Sequence, residues 1–162
     1  MGDRIDNLVG QWAGERPDLD SSALDVVARV QELAKLLRRD EDSRLAELGL
    51  KMWEYDVLSA LRRQGEPFAL LASKLAKETL LSSGAITNRV DRLENRALVI
   101  RHESPDDRRG VVIKLTIAGM QLVDRALESR LALADEQVAR LNTAERSSLA
   151  EGLRKVSDSL QA

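Results

Sequence analysis

The chain of 162 residues contains no cysteine, so it forms no disulfide, carries no thiol switch and offers no thiolate to a metal. Its one histidine, His102, argues against a His/Cys metal sensor. Aromatic residues make up only 2% (Trp12, Trp53, Tyr55 and Phe68), and proline occurs three times. No apolar run approaches the ~18 residues of a membrane span. The first 20 residues carry acids throughout and lack the apolar core of a signal peptide, so the cytoplasm is the expected location. Ser/His/Asp sets, Gly-rich phosphate loops and paired carboxylates are also missing, and catalysis is not expected. His102, between Arg101 and Glu103, reads as a surface or groove-flanking residue rather than a base.

What is present favours a folded, mainly helical protein. Hydrophobic residues make up 43% and charged residues 32%. Leu, Ala, Arg, Asp and Glu dominate, and most of these are good helix formers. The net charge of −2 does not by itself suggest a nucleic-acid partner, but it is unevenly placed. Residues 62–115 hold eleven Lys/Arg against seven Asp/Glu, a local +4 on a body of −6. A basic region on an acidic body suffices for phosphate contact.

Periodicity orders the chain. Ile5, Leu8, Val9 and Trp12 form one apolar face of a short helix over Asp3–Gly14, stopped by Glu15-Arg16-Pro17. A long helix is predicted over Ser22–Leu48, with Leu24, Val27, Val30, Leu33, Ala34, Leu37 and Leu45 in one stripe and Gly49 ending it. Helices follow over Lys51–Gln64 and Leu71–Lys77. Another runs over Ser83–Asn95, capped by Ser82 or Ser83, with Ile86, Val90 and Leu93 inward. Leu98–Glu103 and Gly110–Leu115 read as two strands around a charged turn. Thr116 caps a helix to about Leu141, and Thr143 caps a last one striped by Leu149, Leu153, Val156 and Leu160. There is no internal repeat.

Helix, turn, helix, strand, basic turn, strand is the order of a winged helix-turn-helix, which sets a helix in the DNA major groove and a hairpin on its flank. On the Ser83–Asn95 helix, Thr87, Asn88 and Arg92 point away from the core, and Ser82 and Ser83 lie at its N-terminus. Asn pairs with adenine, Arg with guanine, and helix N-terminal amides suit phosphate. In the turn, Arg108 and Arg109 are the residues for minor-groove or phosphate contact, with Asp107 as a brace. The fold expected is mainly α with a small β wing. Residues 1–16 form an extra helix before a winged-helix domain over 20–162. The DNA-binding lobe covers about 51–115, and the outer helices cover about 22–48 and 116–162. The apolar stripes of those outer helices exceed what the small lobe can bury, so a second copy of the chain is the expected partner. A two-fold dimer sets its recognition helices about one DNA turn apart, roughly 34 Å.

The segment GAITNRVDRLENRALVIRHESPDDRRGVVIKLTIAG resembles the signature region of MarR-type regulators: recognition helix, Leu-Val strand, Asp-x-Arg-Arg wing and Leu-Thr-x-x-Gly helix start. A weaker likeness extends from about Leu24 to Leu160. The resemblance implies a homodimeric transcription factor, usually a repressor, that binds a palindromic operator in double-stranded DNA, dimerises through its first and last helices, and is released by a small ligand without any cofactor. Trp12, Asp56, Arg89 and Arg101 together resemble the ligand-site set of the urate-responsive branch of that family. This implies urate or a related anionic purine held by Trp12 and Arg89. In Trp53-Glu54-Tyr55-Asp56-Val57-Leu58 an acid sits in an otherwise apolar stretch; Asp56, near the inner face, has Arg89 and Arg101 as candidate partners, and the ligand's charge would loosen a bridge to Arg101 on the first wing strand. Two other readings stay open: a MarR-type sensor of a phenolic or xenobiotic anion, and a winged-helix module that binds protein. Steep salt dependence marks the DNA binder.

Overall fold

The computed structural model describes residues 2–104 and 110–161. In order, the elements are α1 (Arg4–Glu15), α2 (Ser22–Glu47), α3 (Met52–Arg62), β1 (Ala69–Leu71), α4 (Ala72–Glu78), α5 (Ser83–Asn95), β2 (Val99–Glu103), β3 (Val111–Leu115), α6 (Ile117–Gln137) and α7 (Thr143–Gln161). The three strands form one antiparallel sheet in the order β1-β3-β2. Arg101 lies opposite Ile113 in the β2–β3 pair, and Leu70 opposite Ile113 on the other side. The architecture is mostly helical with a small antiparallel sheet, a winged helix-turn-helix.

The core lies where α3, α4, α5, α6 and the sheet meet. Leu58, Leu61, Leu75, Val90, Leu93, Val99, Ile113 and Val123 are fully buried there. Each such side chain stabilises the fold by ~1.5–3 kcal/mol. Ile86, Val90 and Leu93 recur at spacings of four and three, so one face of α5 enters this core and the opposite face is left outside.

Local chemistry explains where the elements start. Asp3 accepts the amides of Ile5 and Asp6, and Asp6 accepts the amide of Asp3, which closes a capping box on α1. Ser82 caps α5 through the Ala85 amide at 3.3 Å. Thr116 caps α6 through the Gly119 amide at 2.9 Å, while its hydroxyl also donates to the Ala97 carbonyl at 2.7 Å. Gly119 must be glycine, because a Cβ there would meet the Leu98 carbonyl oxygen at 2.0 Å. One threonine and one glycine thus seat α6 on the chain segment that joins α5 to the wing.

Two sequence expectations change, and one element is new. The strand β1 has no sequence forecast; it is three residues long and is held by pairing with β3. The last helix is capped by Asn142, whose side chain accepts the Glu145 amide at 3.0 Å; Thr143 is already inside the helix. The helix after Thr116 ends at Gln137 rather than near Leu141. The stripe of α2 is exposed in a single chain apart from Leu45 and partly covered neighbours: Leu24, Val27 and Leu33 each keep 40–47% of their surface. α7 buries no residue.

Candidate nucleic-acid interface and adjoining cleft

α4 and α5 form the helix-turn-helix. The Thr79 amide donates to Leu75 and the Leu81 amide to Ala76 at 2.8 Å, which closes α4 with Leu80 in the left-handed region at φ 53°. Ser82, Ser83, Thr87, Asn88 and Arg92 are all exposed. They share the outer side of α5 because Ile86, Val90 and Leu93 occupy its inner side. The Thr87 hydroxyl donates back to the Ser83 carbonyl at 3.0 Å. Asp107, Arg108 and Arg109, the wing-tip residues of the sequence reading, lie outside the described residues.

Arg101 does not pair with Asp56. Its guanidinium bonds Glu94 at 2.7 Å, Asp91 at 2.5 Å and the Thr87 carbonyl at 3.2 Å, all on α5. Its amide also donates to Glu94, at 3.2 Å. The sequence reading placed an acid in an apolar stretch beside Trp53 and expected Asp56 to be the buried one. The buried acid is Glu54, two residues earlier and therefore on another side of α3. Glu54 accepts the Lys51 amide at 2.8 Å and the Arg96 guanidinium at 2.6 Å, tying the start of α3 to the end of α5. A buried carboxylate requires such partners. Neither Glu54 nor Arg96 was singled out from sequence, and an acid three residues after a helix start was the available signal.

Asp56 opens instead onto clefts. One, of about 580 Å³, lies between α2, the start of α3 and α5, and is lined by Arg38, Asp42, Lys51, Trp53, Asp56 and Arg89. The Arg89 guanidinium sits over the Trp53 ring, 5.5 Å from its centre. A second cleft, of about 400 Å³, lies on the α6 side and is lined by Tyr55, Asp56, Arg63 and Arg130 among others. Loss of hydration pushes the Asp56 carboxyl above its ordinary range. Arg38, Arg130 and Arg89 pull it back only in part, and Glu41 adds to the rise. The cleft therefore holds an excess of cationic side chains and one aromatic wall, with a carboxylate that is disfavoured there.

Of the four residues read as a ligand set, Asp56 and Arg89 meet in this cleft. Trp12 does not line it in the same chain. α1 packs on α2, and Trp12 keeps 52% of its surface. Arg101 faces α5. Trp53 and Arg38, which do line the cleft, were missed: Trp53 reads as an apolar core marker and Arg38 as one of many helix-surface charges.

A model of the MarR family matches residues 48–110, which span α3, β1, the helix-turn-helix and β2, the first strand of the wing. The HTH-type transcriptional regulator PecS of Dickeya dadantii (strain 3937) is 33% identical over 127 residues, covering 78% of this chain and 76% of PecS. The chain belongs to the MarR family. The HTH-type transcriptional regulator MhqR of Bacillus subtilis (strain 168) is 35% identical over 109 residues, 67% of this chain and 72% of MhqR. Among solved structures, Sco3205 is a MarR family transcriptional regulator from Streptomyces coelicolor, crystallised in complex with DNA. It superposes with a TM-score of 0.76 at 27% identity, over 89% of this chain and 91% of that one. MarR-family proteins are DNA-binding transcriptional regulators that dimerise and take small-molecule effectors rather than cofactors. Among the described residues no helix is long and apolar enough to cross a membrane.

Proposed function

We propose that this MarR-family chain is a homodimeric repressor that binds a palindromic operator and is released by urate or a related anionic purine. DNA is read by Ser82, Ser83, Thr87, Asn88 and Arg92 of α5, with Asp107, Arg108 and Arg109 on the flank. The effector enters the cleft beside Asp56. The observation that carries this reading is the place of Arg89: it belongs to α5, yet its guanidinium lies on Trp53 in the wall of the cleft. A planar anion that takes up Arg89, with Arg38 and Lys51 nearby, acts on the DNA-reading helix directly. Asp56 is repelled by that anion, so the ligand favours an arrangement in which α3 and α5 move apart. Only such a difference in affinity between two states shifts the equilibrium. Trp12 serves this site from a position its own chain does not reach, which fits a contribution from the partner across the α2 stripe.

The test is a urate titration of protein bound to the promoter DNA next to its own gene, with tryptophan fluorescence recorded in parallel. Release is expected at micromolar to millimolar urate, and Arg89→Ala or Trp12→Phe should raise the required concentration at least tenfold. Tight, salt-sensitive DNA binding with no urate response removes urate and leaves the regulator. Release by salicylate in preference to urate transfers the same cleft to phenolic anions.

A further inference from the structure

We infer that Arg101 is a positioning residue for DNA reading: it latches the first strand of the wing to the recognition helix and so sets the angle between the two parts that grip the duplex. The inference rests on α5 being the helix that reads DNA.

Apolar packing alone does not fix that angle. Between α4, α5 and the sheet lies a small cleft of about 140 Å³, lined by Ala72, Ile86, Thr87, Val90, Val111 and Ile113, with Arg101 beside them. The outer edge of the seam between helix and wing is therefore open, while Val90 and Ile113 close its inner part, and the open edge gains no support from apolar contacts. Arg101 spans it. From one strand residue, a single planar guanidinium reaches three acceptors in successive turns of α5: the Thr87 carbonyl, the Asp91 carboxylate and the Glu94 carboxylate. The Glu94 carboxylate also accepts the Arg101 amide, so the strand backbone is held as well as the side chain. The Arg101 side chain keeps only 28% of its surface, and Asp91 and Glu94 keep 51% and 37%. A rigid fork holding several acceptors fixes orientation in a way that a lysine point charge does not.

The arrangement also explains two acids on a helix meant for DNA. Asp91 and Glu94 repel phosphate, and as free side chains they would weaken binding. Pairing with Arg101 offsets one of their two negative charges, and their place on α5 is spent on aligning the wing. An arginine so engaged does not serve as a phosphate contact, which separates Arg101 from Arg92 on the same face.

The experiment measures anisotropy of labelled promoter DNA at four salt concentrations, with the thermal midpoint as a folding control. The proteins are wild type, Arg101→Ala, Arg101→Lys, the double variant Asp91→Asn/Glu94→Gln, and Asn88→Ala. A latch predicts that Arg101→Ala lowers affinity at least tenfold with an unchanged slope of log K against log salt. Loss of a phosphate contact lowers that slope by about one. Arg101→Lys should recover little. The double variant is decisive, and stays so if Arg101→Ala folds poorly. It removes two negative charges from the DNA-facing lobe, so pure electrostatics predicts tighter binding, whereas the latch predicts weaker specific binding. Tighter binding by the double variant, or a shallower slope for Arg101→Ala, overturns the latch while Asn88→Ala still reports on α5. Unchanged affinity in every variant, Asn88→Ala included, overturns the latch together with the assignment of α5.

Discussion

Leu80 occupies a position where the backbone turns left-handed, at φ 53°, and keeps 94% of its surface. A side chain that packs against nothing gives no compensation for the strain its Cβ suffers there. Leu80→Gly is therefore expected to raise stability by about 1 kcal/mol, read as a higher urea midpoint with an unchanged slope. A lower midpoint would mean that Leu80 is covered in solution, by a second copy or by the turn itself. Glycine at 119 and leucine at 80 teach opposite lessons about reading single residues. Gly119 follows a threonine that caps α6, and the need for it became clear only when the Leu98 carbonyl was found against it. Leu80 is an apolar residue beside Leu81, and the turn geometry, not its residue type, puts it in water. Asp56 and Glu54 repeat the lesson within one helix. Two acids two residues apart lie on different sides, so composition pointed to this stretch but did not say which carboxylate was buried.

At the scale of elements, α1 is the least secured helix that carries a proposed ligand residue. It has no buried residue, and its charged link to α2 runs through Arg29, which pairs with Asp3 and Asp6 of the α1 cap and first turn while Asp25 holds it on α2, with a weaker pair of Arg4 and Glu32 at 3.6 Å. Arg29→Ala should free α1 alone: amide protection over residues 4–15 should fall to near that of an unfolded peptide, while protection in α3 and α5 stays as it was. Acid should do the same by another route. The amides of Asp6 and Ile5, together with Arg29, hold the Asp3 carboxyl below its ordinary range, although partial loss of hydration opposes them. Its contribution is present above the unfolded carboxylate value and is lost only as pH falls through the lower folded one. Docking of α1 should thus survive to about pH 4 and fail below it. Persistent protection of α1 in Arg29→Ala would show that Ile5 and Val9 suffice. Element identity was legible wherever the apolar period was long: α2, α5 and the β2–β3 hairpin stand where 3.6- and two-residue spacing placed them. Strand β1 was not legible, because three residues carry no period and its pairing with β3 is a long-range choice. The link of Arg101 to α5 rather than to Asp56 was hidden for the same reason, since spacing places residues on elements without saying which element a long side chain crosses to.

For the whole molecule, the question is what covers the outer helices. α7 is 19 residues long and buries nothing, although most of a helix's stability in a protein comes from packing of its apolar face. Beside it, Val26, Val30 and Leu33 of α2 and Leu149, Leu153 and Val156 of α7 line an apolar groove of about 560 Å³. Leu131 and Trp12 add exposed apolar surface on α6 and α1. Such a patch on a chain whose family dimerises is best covered by its own copy, because one self-complementary surface serves both subunits. The two recognition helices are then held at a spacing that one duplex face can accept, and the affinity for two half-sites depends on that bond. Leu153→Asp places a charge in the groove without touching the DNA-reading lobe. It should shift the sedimenting species from twice 18.0 kDa toward 18.0 kDa at micromolar concentration. It should also weaken binding to the full operator at least tenfold, while leaving binding to a half-site duplex nearly unchanged. Equal losses on both duplexes would place the damage in the fold rather than in the pairing. A variant that remains a dimer with full affinity would move the interface away from α7.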